Sequence, residues 1–273
     1  MAHSKTITPC ALFGYLLMDR LDELLIELGG RSREVVLQPN EFFDFNLKDQ
    51  VVMVVEGDLL MIAPKDPKTG RSKRHTLKAK DPYGVAEAVS SKTPEFDCVV
   101  QTTTKLRIFD GQEVRAYANK ARVFARTIIR YSLKRIFAET DKDRKASIVF
   151  EDDFIYANRD DLRSMEVPPE LVLFKAGADA DKMYFIEKGE IAINSEQDRL
   201  IALLGAGECF GEAVLLGESA RSAGAVVEQE AELVAIDGEF ARRELGKEHP
   251  ITQFVTLLLL RQVGLVNQLR GLR

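Results

Sequence analysis

The sequence predicts a mainly β fold with helices, built as two tandem antiparallel β-barrels of the jelly-roll-like kind, each followed by a helix. Short β-type runs recur between Val35 and Phe109, with turns between them. Many short strands at close intervals are typical of an antiparallel barrel or sandwich. The length of 273 residues suggests two domains, each large enough for its own core.

An internal repeat supports the same fold class. An offset of 127 residues, the separation between positions 83 and 210, places Tyr83-Gly84 on Phe210-Gly211 without a gap. The same offset places Asp110-Gly111 on Asp237-Gly238. A repeat of this length indicates duplication of a whole domain, because solenoid units are only a few tens of residues long.

Helical patterns frame the two copies. Leucines at helical spacing predict a helix over residues 9–28, which Gly29-Gly30 end. A second helix is predicted from Gly111 to about Phe137, where it closes the first copy. At the C-terminus, Gly238 to Lys247 and Pro250 to about Leu272 predict two more.

Domain boundaries follow from a polar stretch between the copies. Residues 139–147 are almost wholly polar and predict a linker, and residues 148–165 predict a short helical lead-in. The predicted organisation is an N-terminal helix (1–34), a degenerate first copy (35–138), a linker with its lead-in helix (139–165), and a second copy with a C-terminal helix (166–273).

The stretch from Phe210 to Val227, here called the second cassette, predicts a pocket for a phosphorylated sugar. Gly211 allows a tight turn, and the run from Ala213 to Leu216 can form one helical turn whose amides face an anion. The planar guanidinium of Arg221 matches two phosphate oxygens. Beside a phosphate, the Glu212 carboxylate makes sense as the acceptor of a sugar hydroxyl.

These residues resemble the phosphate-binding cassette of the cyclic nucleotide-binding domain family. The motif is Phe210-Gly211-Glu212 followed by Arg221-Ser222-Ala223, and the stretches Glu170–Gly177 and Met183–Ile193 read like the family's first strands. Several spaced elements that agree are more specific than one glycine-rich motif. The resemblance covers residues 166–273, and it implies that Glu212 takes the ribose 2′-hydroxyl and Arg221 the cyclic phosphate.

The resemblance also implies contacts to the base. It places Ile193 and Ile201 against the base, and Asn267 and Gln268 on the final helix near an adenine amino group. A threonine at position 224 would favour guanine, and the chain has Gly224, so we expect cAMP rather than cGMP. The candidate nucleotide-binding residues are Gly211, Glu212, Ala213, Arg221, Ser222, Ala223, Ile193, Ile201, Asn267 and Gln268.

The first copy lacks both ligand groups. Glu212 falls on Val85, and Arg221 falls on Pro94. A shifted register could bring Glu87 into the acidic role, but no arginine follows it in the corresponding stretch. A pocket without these groups would desolvate a phosphate without replacing its hydrogen bonds. We therefore expect the first copy to be structural or interactive.

The role of the C-terminal apolar stripe stays open. Leu259, Val263, Val266 and Leu269 lie at helical spacing and are too apolar to face water alone. In the family the corresponding helix covers the base and, in bacterial activators, also pairs two subunits, which implies a homodimer. Alternatively, the stripe packs on its own β domain or on the first copy.

Composition narrows the function classes. A net charge of −5 argues against general nucleic-acid affinity, although residues 65–80 carry a basic hairpin tip that is either a solvated loop or a partner contact. The odd number of cysteines suits reduced thiols in a cytoplasm. The sequence has no cluster of His or Cys at ligand spacing, so we expect neither a metal nor another cofactor. No stretch predicts a signal peptide, a membrane span or a helix-turn-helix.

The sequence therefore predicts a cytoplasmic cyclic-nucleotide sensor rather than an enzyme. It would bind cAMP in its second copy and signal through its C-terminal helix to an unidentified effector protein, without binding DNA directly or associating with a membrane. The competing hypothesis is a scaffold with a vestigial second cassette, which acts through the first copy and the basic loop.

Overall fold

The computed structural model describes residues 20–67, 69–137, 158, 162–217 and 220–271. Within them the chain is mainly β with helices, and its strands pair in three antiparallel sheets. The described strand pairings do not close any of these sheets into a barrel. Barrel closure therefore stays a prediction.

The first half contains seven strands and four α-helices among the described residues. In chain order these are α1 (Arg20–Glu27), the 3₁₀-helix η1 (Gly29–Arg31), β1 (Ser32–Leu37), β2 (Gln50–Glu56), β3 (Leu59–Ile62), β4 (Arg74–Leu77), β5 (Pro82–Tyr83), α2 (Val85–Ser90), β6 (Asp97–Val100), β7 (Thr104–Asp110), α3 (Gly111–Ala118) and α4 (Val123–Ile136). One sheet has the order β1-β7-β2-β5, and the other has the order β4-β3-β6.

The second half is built around one long hairpin. Its elements are β8 (Leu162–Val167), β9 (Val172–Phe174), β10 (Lys182–Asn194), β11 (Leu200–Gly205), β12 (Cys209–Phe210), the 3₁₀-helix η2 (Glu212–Leu216), β13 (Gly224–Asp237), α5 (Gly238–Gly246) and α6 (Pro250–Gly271). The sheet has the order β11-β10-β13-β8, with β12 paired to β10 and β9 paired to β13. Gly189, at φ +89°, lies at an irregularity of the β10–β13 register rather than in a turn.

Three predicted elements differ from the structure. The predicted helix from Gly111 to about Phe137 is two helices, because the chain leaves the helical path between Asn119 and Arg122. Residues 74–77 of the predicted basic loop form β4, whose backbone pairs with β3, so the hairpin arms are longer than predicted. The lead-in helix and linker lie mostly outside the described residues, and the last positions of that segment, from Leu162, belong to β8 instead.

Local conformations recur at the repeat offset. Gly84 and Gly211 are both left-handed, at φ +83° and +76°, and a short helix follows each. Asp110 and Asp237 both accept hydrogen bonds from the second and third amides of the helix that follows. Each therefore caps a helix N-terminus, which explains why an Asp-Gly pair occurs at both positions.

Helix α6 is buried between elements of the first and second halves and is not a surface helix. Its stripe, Leu259, Val263, Val266 and Leu269, is buried at 1% exposure or less. The helix contacts α1, α2, α3 and α4 of the first half, and also η2 and β11 of the second. This arrangement matches the alternative in which the stripe packs on the first copy, so the apolar surface on which the homodimer expectation rested is already covered.

Most of the first-half core and α6 belong to one continuous cluster of buried side chains, which also includes Met183 and Val234 of the second-half sheet. A separate, smaller cluster fills the interior of the second-half sheet, around Ile186, Val227 and Leu233. Burial of α6 against both halves fixes their relative position. The candidate site lies where these parts meet.

Candidate functional site

A cavity of about 450 Å³ lies between the second-half sheet, η2, α6 and α4. Every sequence-predicted site residue borders it: Gly211, Glu212, Ala213, Arg221, Ser222, Ala223, Ile193, Ile201, Asn267 and Gln268. Other lining residues are largely apolar, among them Phe174, Leu204, Phe210, Leu216 and Leu260. An apolar cavity with a few convergent polar groups is typical of a small-molecule site.

Arg221 is the buried cation of this cavity. Its side chain is only 3% exposed. Nη1 donates to the Gly211 carbonyl at 3.2 Å, and Nη2 lies 3.5 Å from the Asp181 carboxylate, which is itself 61% exposed. Among the described residues Nε has no hydrogen-bond partner. The guanidinium is thus held in place, but its charge and donors are only partly compensated.

Aromatic rings set the orientation of the guanidinium. The Arg221 Cζ atom lies 4.2 Å from the centroid of the Phe174 ring. Phe174 belongs to an aromatic cluster with Tyr184 and Phe210, and the last two rings stack at 5.0 Å. A cation over an aromatic face is attracted by the ring quadrupole. The stack therefore fixes the plane of the fork without using its hydrogen-bond donors.

The electrostatics of the site favour an anion. Burial lowers the pKa of the Arg221 guanidinium, and the nearby Tyr184, Asp181 and Glu212 side chains oppose that shift. Arginine nevertheless stays protonated in proteins. A buried cation that lacks a close ion pair costs free energy. A bound anion would recover part of this cost.

The turn at Gly211 requires glycine for two reasons. The backbone is left-handed, and a Cβ atom at this position would lie 2.6 Å from Arg221 Nη1. The turn leads into η2, whose hydrogen bond from the Val214 amide to the Gly211 carbonyl is long, at 3.4 Å. The first amides of a helix have no carbonyl partner within it. Gly211, Glu212 and Ala213 all border the cavity, so the start of η2 forms part of its wall.

Sequence reasoning missed the contribution of the first half. Tyr131 and Arg135 of α4, and Asp81, line the cavity together with the second cassette. Burial raises the pKa of the Tyr131 hydroxyl, and the Glu212 carboxylate adds to that shift. These positions showed no signal in the sequence, because their role depends on how α4 docks against the other half.

Helix α6 covers the cavity and links it to the first half. Arg135 Nη2 donates to the Asn267 side-chain oxygen at 3.2 Å. Arg261 Nη1 lies 3.9 Å from the Asp81 carboxylate. Asn267, Arg261 and their neighbours on α6 border the cavity. A ligand bound there would therefore touch the second cassette, α6 and α4 at once.

Gly224 is not among the residues that line the cavity. It starts β13 and pairs with Asn194, and the nearest atom to a Cβ at this position would be the Phe174 carbonyl oxygen, at 3.5 Å. Ser222, which carries a hydroxyl, borders the cavity instead. The interpretation of base selectivity from residue 224 therefore gains no support from the geometry.

The metal, membrane and basic-loop expectations bear on the part of the chain that the structure describes. No group of three or more His, Cys, Asp or Glu side chains could hold a metal ion there. No helix in that part is long and apolar enough to cross a membrane. In the basic loop, Lys78 pairs with Asp58 at 2.5 Å and Lys80 pairs with Asp22 at 2.6 Å. Part of its charge is thus used within the chain.

Comparison with known proteins relates residues 164–248 to a recognised domain type. Residues 164–248 match the family model described as "Cyclic nucleotide-binding domain". A segment of 101 residues is 33% identical to the cAMP-activated global transcriptional regulator CRP of Haemophilus influenzae, and covers 35% of this chain and 45% of that protein. A segment of 93 residues is 32% identical to the cAMP-dependent protein kinase regulatory subunit of Pyricularia oryzae, and covers 34% of this chain and 24% of that protein. The matches thus span less than half the length of either relative.

Two solved structures align with most of the chain. One is the regulatory subunit of a cAMP-independent protein kinase A from Trypanosoma brucei, with a TM-score of 0.35, 16% identity, and coverage of 84% of this chain and 81% of that one. The other is the regulatory domain of Toxoplasma gondii PKA in a co-crystal structure with cAMP, with a TM-score of 0.34, 16% identity, and coverage of 89% of both chains. The family-model match and the two sequence relatives support the cyclic nucleotide-binding domain family for residues 164–248.

Proposed function

We propose that this protein is a cyclic-nucleotide sensor that binds cAMP in the cavity of its second half. The cyclic phosphate would take the Arg221 fork, and the Glu212 carboxylate would accept from the ribose 2′-hydroxyl. Ile193, Ile201, Asn267 and Gln268 would surround the base. The proposal is supported by the convergence of all ten predicted residues on one cavity, eight of them within the matched segment 164–248 and two, Asn267 and Gln268, on α6.

The observation that carries the proposal is the incompletely paired, buried guanidinium of Arg221. A structural arginine would be expected to have a close carboxylate partner, because an uncompensated buried charge is costly. Here the only ion pair within the described residues is long and reaches an exposed aspartate. A phosphate in the cavity could accept charge-assisted hydrogen bonds from this guanidinium, and such bonds are shorter and stronger than those between neutral groups.

The signalling step would be a population shift of α6. A nucleotide that touches the second cassette, α6 and α4 together binds more tightly when α6 is docked, as it is in this structure. A ligand can shift an equilibrium only by its difference in affinity for the two states. The docked helix would then present a different surface to an effector protein. We place this activity in the cytoplasm and assign the protein no enzymatic step and no direct contact with DNA.

The first half would act as a non-binding copy of the same domain. The repeated left-handed glycines and aspartate caps support a tandem duplication. In the register of the repeat, Val85 replaces the sugar-binding acid and is fully buried. Pro94 replaces the phosphate-binding arginine. One nucleotide per chain is the expected stoichiometry.

Isothermal titration with cAMP, cGMP and a cyclic dinucleotide tests this proposal. We expect saturable binding of cAMP with one site per chain and weaker binding of the other two. Tighter binding of cGMP or of the dinucleotide would keep the sensor and change its ligand. No binding of any of the three would favour the competing hypothesis, a scaffold with a vestigial cassette that acts through its first half and basic loop.

A pull-down with and without cAMP would address the effector. We expect a protein whose recovery changes with the nucleotide and whose response disappears in an Arg221→Leu variant. Recovery that is the same under all conditions would separate partner binding from the cavity.

A further inference from the structure

Gln262 of α6 reaches into the first half at the place that corresponds to the nucleotide cavity of the second. Its side-chain oxygen Oε1 accepts from the Ala86 backbone amide at 3.0 Å. Its Nε2 donates to Glu87 Oε2, also at 3.0 Å. Ala86, Glu87 and Gln262 are all buried, at 0%, 1% and 3% exposure. Two buried polar side chains and one buried amide thus satisfy each other.

The repeat register gives this contact a meaning beyond core packing. We call residues 83–100 the first cassette, because they correspond to residues 210–227. At the offset of 127 residues Ala86 aligns with Ala213, which borders the nucleotide cavity. The Gln262 side-chain oxygen therefore accepts from the amide of the first-cassette residue whose counterpart, Ala213, borders the nucleotide cavity.

We propose that Gln262 is an internal ligand of the first cassette, and that Gln262 and Glu87 are positioning residues that fix α6 over the nucleotide cavity. This inference rests on the proposed function of that cavity. On this proposal the first half has a defined role, because the first cassette binds Gln262 of α6, the helix that covers the nucleotide cavity.

The position of Gln262 within α6 explains how it would act. Leu260 and Arg261 precede it, Gly264 and Leu265 follow it, and all four border the nucleotide cavity. A helix advances by about 1.5 Å and turns by about 100° per residue. Pinning one side chain at two atoms therefore fixes both the height and the rotation of the neighbouring cavity residues.

Gln262 makes a better anchor than an apolar side chain would. Apolar contacts along α6 supply most of its attachment, but they are non-directional and tolerate small shifts. The two hydrogen bonds have defined geometry, and loss of Gln262 would leave the buried Ala86 amide without its partner and the buried Glu87 carboxyl without its side-chain partner. We expect α6 to stay attached in such a variant and to shift locally around position 262.

Linkage makes the contact measurable without an effector. If nucleotide binding favours the position of α6 in which Gln262 is bound to the first cassette, the Gln262 contact must favour nucleotide binding by the same factor. Amide hydrogen exchange at Ala86 and Glu87 should therefore slow when cAMP binds to the other half of the wild-type chain.

The test compares four variants of the full chain. Gln262→Leu and Glu87→Leu should each weaken cAMP binding by about tenfold, since each leaves buried polar groups unpaired. Glu87→Gln retains an acceptor for Gln262 Nε2 and should bind within about twofold of wild type. Thr252→Val is the matched control. It removes a hydrogen bond of 3.2 Å between α6 and the Tyr117 carbonyl of the first half.

Thr252 lies ten positions before Gln262, or about 15 Å along the helix, and it does not border the cavity. Unchanged affinity in Gln262→Leu, or an equal loss in Thr252→Val, would overturn the proposal, because the effect would then be absent or merely a loosening of α6. Rescue in Glu87→Gln with loss in Glu87→Leu supports it.

Hydrogen exchange separates this inference from the proposed function. In the absence of nucleotide, Gln262→Leu should speed exchange at Ala86, whereas Thr252→Val should not. If no cyclic nucleotide binds even to the wild type, the proposed function is refuted, whereas the exchange rate at Ala86 still measures the Gln262 contact. If cAMP binds to wild type without slowing exchange at Ala86, the function stands and the coupling is refuted.

Discussion

Replacing Arg221 by leucine separates ligand binding from stability. The side chain is 3% exposed, its one ion pair within the described residues spans 3.5 Å, and the residue borders the cavity. A charge-assisted hydrogen bond contributes about 1.5–3 kcal/mol, so loss of a two-bond fork should weaken cAMP binding by at least about a hundredfold. Isothermal titration would register this as loss of detectable heat.

The same replacement should leave the free protein folded and about as stable. Exchange of a poorly paired buried charge for an apolar side chain is often neutral or stabilising. We expect a change in unfolding free energy within about 1 kcal/mol, measured by urea unfolding without nucleotide. Arg221→Lys keeps the charge and loses the fork, so its affinity should lie between wild type and Arg221→Leu.

Arg243→Leu provides the matched control. Arg243 also stacks on a phenylalanine, with its Cζ atom 5.1 Å from the Phe240 ring, but it does not border the cavity. Its loss should leave cAMP affinity unchanged. The reasoning is refuted if Arg221→Leu binds cAMP as tightly as wild type, or if Arg243→Leu loses as much affinity as Arg221→Leu.

Three further variants test other parts of the account. Gly211→Ala places a Cβ atom 2.6 Å from Arg221 Nη1 at a residue with positive φ. We therefore expect the free energy of unfolding to fall by about 1 kcal/mol and cAMP binding to weaken at least tenfold. Binding as tight as that of wild type would contradict the requirement for glycine in this turn. Glu212→Ala should bind cAMP and 2′-deoxy-cAMP with equal affinity, whereas wild type should bind cAMP about tenfold more tightly. A preference for cAMP that persists in the variant would show that Glu212 does not bind the ribose hydroxyl. Burial raises the pKa of Glu87, so protonation of this carboxyl stabilises the folded protein fully below the unfolded pKa of about 4.3, and this stabilisation is lost as the pH rises through the raised pKa. The free energy of unfolding of Glu87→Gln, measured in urea, should therefore exceed that of wild type by an amount that grows with pH. Parallel pH profiles of the two proteins would argue against a buried carboxyl.

The second cassette could be predicted from sequence because its signals are local. A glycine turn, an acid, a short helix and an arginine lie within eighteen residues of chain, from Phe210 to Val227, and each residue type follows from the chemistry of its partner. The structure brings all of the predicted residues to one cavity, including Asn267 and Gln268 from the distant final helix. The Asp-Gly pairs at the repeat offset likewise became helix caps.

The contacts between the halves could not be predicted in the same way. Tyr131, Arg135 and Gln262 have no motif around them, and each acquires its role only when α6 docks against α4 and the first cassette. The break between α3 and α4 was missed because the residues around Asn119 carry neither glycine nor proline. Tertiary packing, rather than local propensity, decides such features.

The central claim is that Arg221 and Glu212 hold a cyclic nucleotide in the second half. A crystal structure of the full chain grown with saturating cAMP tests it most directly. The account predicts phosphate oxygens about 2.7–3.2 Å from the Arg221 fork, with the ribose hydroxyl donating to Glu212. A cavity without nucleotide under those conditions, or one filled by the protein's own side chains, would contradict it.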